Sequence, residues 1–143
     1  MRFMMIVKAT QDSEAGVMPS QELVDAMMKY NEELMKAGVL LAAEGLHSSA
    51  GAIRISYPEA GGKAKIVDGP FTETKELIAG FTLIEVKSRE EAIEWAKRMP
   101  DPHGFGEGVI ELRQVIEPPE LTPDAESQAL HALMRQQAPT KQP

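Results

Sequence analysis

An α+β fold of the ferredoxin-like, split βαβ type is predicted by this sequence on three observations. Short apolar runs and amphipathic helical stretches alternate in the order strand, helix, strand, hairpin-like insertion, strand, helix, strand. Each main helical stretch opens on a serine able to cap it. The first strand is apolar on both sides, as in the covered centre of a sheet.

Phe3 to Val7 is that first strand, with Phe3, Met5 and Val7 on one side and Met4 and Ile6 on the other. Residues 10 to 19 read as a loop punctuated by Gly16 and Pro19. Ser20 caps the first helix, where Leu23, Met27, Tyr30 and Leu34 fall at helical spacing on one face. Gly38 ends it, because glycine adopts positive φ without steric cost.

Val39 to His47 reads as the second strand, with Val39, Leu41, Ala43, Gly45 and His47 sharing one face. Ala52 to Tyr57 and Ala64 to Asp68 form the hairpin, joined by Pro58 and the Gly61-Gly62 pair. Phe81 to Val86 is a further strand. Ser88 and Glu91 form a capping-box sequence for the second helix, whose inward face carries Ala92, Trp95, Ala96 and Met99. Val109 to Ile116 closes the sheet.

Helices cover only one face of such a sheet. The other face, with Met4, Ile6, Glu111 and Arg113, calls for a second copy of the chain, since large apolar patches rarely stay in water. Residues 1–117 are expected to form the domain. Residues 118–143 are expected to be a tail, with a marginal helix starting near Thr122-Pro123 and then a disordered end.

With 143 residues, 43% hydrophobic and 26% charged, the chain suits one globular domain. A net charge of −7, with no clustered basic stretch, argues against nucleic acid as a partner. Cysteine is absent, which removes disulfides, a thiolate nucleophile and cysteine-based metal sites. No signal peptide and no run of ~20 apolar residues is visible, so a cytosolic protein away from the membrane is expected. His47, His103 and His131 lack the close spacing of metal ligands, and no metal or cofactor is expected. The glycines of 104–108 precede a strand, not a helix, so a phosphate loop is not expected.

Asp68-Gly69-Pro70 is turn chemistry, and Thr72 to Glu76 is a polar stretch before Leu77 and Ile78. The whole segment from Asp68 to Glu76, followed by Gly80-Phe81 and a strand, resembles the signature of the DGPF-type branch of the YCII-related family. Glu44-Gly45-Leu46-His47, the Met-rich first strand ending in Lys8, and the closing strand with Glu111 and Arg113 agree with it.

That resemblance implies a dimeric α–β barrel, a homodimer with a pocket between sheets, and a small organic molecule as ligand. It implies a His–Asp pair, which falls on His47 and Asp68. The carboxylate would fix the tautomer of the imidazole and leave its other nitrogen as general acid or base. Proline often follows the histidine in relatives, whereas Ser48-Ser49 stand here. Glu73 and Lys75 belong to the signature and are candidates for the pocket mouth. Lys8, Glu44, Arg54 and Arg113 are candidates to supply charge for an anionic substrate. His103 reads as a loop residue. The resemblance also carries a non-catalytic alternative, a ligand-binding or regulatory module associated with sigma-factor systems.

Overall fold

The computed structural model describes residues 1–104, 106–121 and 124–137. Phe105, the Thr122-Pro123 helix start and the expected disordered end lie outside the described residues. A four-stranded antiparallel sheet has the order β2-β5-β1-β6, built from β1 (Arg2–Lys8), β2 (Leu40–Gly45), β5 (Ile78–Glu85) and β6 (Ile110–Gln114). With α2 (Gln21–Lys36) between β1 and β2, and α3 (Arg89–Arg98) between β5 and β6, this is the ferredoxin-like split βαβ topology. The hairpin of β3 (Ile53–Ser56) and β4 (Lys65–Asp68) forms a separate two-stranded sheet.

Alternation in β1 sets the two faces. Phe3 and Met5 are buried beneath the helices with Tyr30, Leu34, Ile84, Ala92 and Met99. Met4 and Ile6 point the other way, beside Arg113 and Glu111 of β6. Arg113 and Glu111 pair with each other at 3.5 Å.

The helices begin and end where the sequence places them. Ser20 Oγ accepts the N–H of Leu23 at 3.2 Å, and Ser88 Oγ accepts that of Glu91 at 3.1 Å. Glu91 reaches one residue beyond its expected partner, to the N–H of Lys87 at 2.9 Å. Gly38 has φ +74, which lets the chain leave α2 while Val39 N–H returns to the Leu34 carbonyl at 3.1 Å.

Two local readings are corrected. Residues 10 to 19 are not all loop, because Gln11–Glu14 forms a short helix, α1. Thr10 and Ser13 cap it reciprocally, each side chain accepting the other's backbone N–H. The second strand ends at Gly45 rather than His47, and a bulge lies between Leu40 and Ala42. A bulge shifts the alternation by one residue, so Leu40 and Ala43 face the helices together. After β6 come α4 (Pro118–Leu121) and α5 (Ala125–Gln137).

Candidate functional site

Leu23, Met27 and Asn31 follow one another at four-residue intervals and form one stripe of α2. Across from them, Val7, Ala43, Gly80 and Thr82 supply the sheet side. Small residues at Ala43 and Gly80 leave this end of the helix–sheet interface unfilled, and a cavity of about 490 Å³ opens there. Gly80 has a second reason to lack a side chain: a Cβ would stand 2.7 Å from the Glu44 carbonyl oxygen. Residues 16 to 19, the turn after β2 and the loop before β6 complete the mouth.

His47 and Glu44 line this cavity. His47 lies just beyond the end of β2, exposed, and neither its side chain nor that of Asp68 makes a hydrogen bond or ion pair among the described residues. Asp68 closes β4 opposite Ile53 and is not part of the lining. The segment that carries it is nonetheless fastened to the turn that follows His47. Gly69 N–H donates to the Ala52 carbonyl at 2.8 Å, and Phe71 N–H donates to Ser49 Oγ at 2.9 Å. A Cβ on Gly69 would collide with the Ser49 carbonyl oxygen at 1.8 Å, so the DGPF-like segment and this turn approach as closely as backbones can. The Gly69–Pro70 peptide is cis.

The other sequence-predicted residues are not brought to the cavity. The Arg54 guanidinium lies 3.8 Å from the centre of the Phe71 ring. Glu73 and Lys75 flank and occupy a single 3-10 turn, Thr74–Glu76, and are exposed. Arg113 is on the opposite face of the sheet. Lys8 contributes its backbone: its carbonyl accepts from His103 Nε2 at 2.8 Å.

That contact draws in residues the sequence reading did not assign to the site. A carbonyl oxygen only accepts, so Nε2 of His103 carries the proton and Nδ1 of the neutral ring is the unprotonated nitrogen. Asp101 shapes the loop by accepting the N–H groups of His103 at 3.1 Å and Gly106 at 2.6 Å. These backbone hydrogen bonds hold its carboxyl below the usual range. Asn31 Oδ1 is buried without a hydrogen-bond partner, and the hydroxyl of buried Thr82 makes none among the described residues. Both residues line the cavity. The sequence signal for Asn31 is a polar side chain four residues beyond Met27, on an otherwise apolar stripe.

Residues 1–118 match the YCII-related domain. The chain belongs to the YCII-related domain family. The matched span runs from β1 through β6, so this YCII-related domain contains the whole cavity, and α5 follows it with Arg135 paired to Glu117 at 3.6 Å. A stretch of 36 residues is 47% identical to part of an uncharacterised protein of Rhizobium meliloti (strain 1021), covering 25% of this chain and 29% of that relative's length. The solved structure of 5-chloro-2-hydroxyhydroquinone dehydrochlorinase from Burkholderia phenoliruptrix AC1100, in complex with 2,5-dihydroxybenzoquinone, is also similar. That likeness covers 78% of this chain and 91% of that one, at 16% identity and a TM-score of 0.41. Among the described residues, no group of three or more His, Asp or Glu is placed to hold a metal ion. No described helix is long and apolar enough to cross a membrane.

Proposed function

We propose that this YCII-related domain, a member of the DGPF-type branch, binds a small organic molecule between α2 and the sheet and acts on it by acid–base chemistry. The observation that carries the reading is the cavity itself, of about 490 Å³, lined by His47 at its mouth. An exposed imidazole with no protein partner can take or give a proton to a ligand held beside it. Asp68 is the proposed orienting carboxylate. The absence of a side-chain partner for it among the described residues, and the fastening of Gly69 and Phe71 to the turn after His47, support that assignment.

The test is turnover of a panel of small organic substrates by the parent and by His47→Ala and Asp68→Asn. His47→Ala is expected to lower turnover by roughly 10²–10⁴-fold, the usual worth of a general acid–base. Asp68→Asn is expected to lower it less. Turnover that survives His47→Ala unchanged rules this chemistry out.

A second reading, a non-catalytic binding or regulatory module, is favoured by one observation: no hydrogen bond joins His47 to Asp68 among the described residues. Ligand binding without turnover of any substrate in that panel would select it.

A further inference from the structure

We infer that the cavity recognises an uncharged molecule carrying a hydrogen-bond donor beside an acceptor, such as a lactam or a primary amide, and that Asn31 reads it. The inference rests on the cavity being the binding site and specifies what enters it.

The first ground is the state of Asn31. Its Oδ1 is buried with no partner, and its carboxamide makes no hydrogen bond among the described residues. Leaving a buried polar atom unpaired destabilises a fold, whereas leucine at the same point of the stripe would bring no such cost. A carboxamide presents an acceptor and a donor side by side in one plane. Its complement is another amide-like edge, paired through two hydrogen bonds. The hydroxyl of Thr82 on the sheet side offers a further donor or acceptor to the same ligand.

The second ground is charge. Among the described residues, Asp12 and Glu44 line the cavity and no lysine or arginine does. The lining groups able to become positive are the His47 and His103 rings, and the Nε2 proton of His103 is already committed to the Lys8 carbonyl. An anion would therefore leave water for a cavity flanked by carboxylates, within a chain of net charge −7. The third ground is the wall. Leu23, Met27 and Val7 give apolar surface, and a thioether adapts to a flat ring.

The test is an NMR titration of the full chain with 2-pyridone, with benzamide and with benzoate, the last matching benzamide in shape but carrying a charge. The expected result is that 2-pyridone or benzamide moves the side-chain amide signals of Asn31 and the backbone signals of Thr82 and His103. Benzoate is expected to bind at least about tenfold more weakly. Asn31→Leu is expected to lose about tenfold or more in affinity for the neutral probe, for the lost hydrogen bonds, while its thermal midpoint equals or exceeds the parent's. Where Asn31→Leu does not fold, Asn31→Asp, which keeps the size and removes the donor, must show the same loss.

Benzoate binding as well as benzamide overturns the inference and leaves the cavity as a binding site. Unchanged affinity in the Asn31 variants does the same. If no probe moves a cavity signal, the inference is overturned, and the acid–base reading is then judged separately by the His47→Ala turnover.

Discussion

Phe71 N–H donates to Ser49 Oγ at 2.9 Å across 22 residues of chain, and the same hydroxyl donates to the Glu14 carboxylate. The backbone N–H of Ser49 adds contacts to both Glu14 oxygens, at 3.2 and 3.0 Å. One buried side chain thus ties the short helix after β1, the turn after β2 and the DGPF-like segment to one another. The signature does not line the cavity. It secures the turn that presents His47 there.

Ser49→Ala is therefore expected to destabilise the fold by about 1–3 kcal/mol, because the partly buried Phe71 N–H loses its partner and the Glu14 carboxylate keeps only the backbone N–H of residue 49. Urea denaturation measures the loss, and hydrogen exchange at the Phe71 amide should accelerate in the same variant. An unchanged midpoint together with unchanged exchange would remove Ser49 from this role.

The sheet order and both main helices are legible in the sequence because apolar period and serine caps agree locally with the tertiary structure. Leu23, Met27, Tyr30 and Leu34 mark the face of α2 that packs, and two of them, Tyr30 and Leu34, are fully in the core. The faces of β2 are not legible. A bulge between Leu40 and Ala42 depends on pairing with β5, and it breaks the alternation at that point, so that Leu40 joins Ala43 on one face. Ser49 reads from sequence as one of two serines after His47, and only its burial against Glu14 and Phe71 gives it a purpose. His103 has a turn signal around it, but its place in the cavity comes from a hydrogen bond to Lys8, 95 residues away. Such a contact has no local signature.

The hairpin and the outer sheet face lead to a prediction about assembly. Ile53, Ile55 and Ile66 are 60%, 57% and 65% exposed, and the register places Ile55 opposite Ile66 on one face. A two-stranded sheet is marginal alone, and covering the surface each isoleucine still exposes would contribute about 1–2 kcal/mol. A homodimer is expected at micromolar concentration, burying above about 1,000 Å² in total. Light scattering on the parent and on Ile55→Glu checks it: the parent should be dimeric and the variant shifted toward monomer. A monomeric parent would defeat the proposal.

Tyr30 supplies the pH dependence. Its hydroxyl donates to the Trp95 carbonyl at 2.6 Å and joins α2 to α3 across the core. Burial pushes its pKa from 10.0 up to about 12, with Arg98 opposing that rise and Glu33 adding to it. The folded state thus holds the phenol proton more tightly than the unfolded chain does. Its contribution is fully present below about pH 10 and is lost as pH rises toward about 12. Urea midpoints between those limits should fall more steeply for the parent than for Tyr30→Phe, by up to about 2–3 kcal/mol over the window. The variant should start lower, by about 1 kcal/mol for the lost hydrogen bond, and because the parent's larger fall exceeds that lead the two curves should cross as the tyrosine ionises. Parallel curves throughout would mean that the ring is accessible to water in the folded protein and that its hydroxyl does not hold α2 to α3.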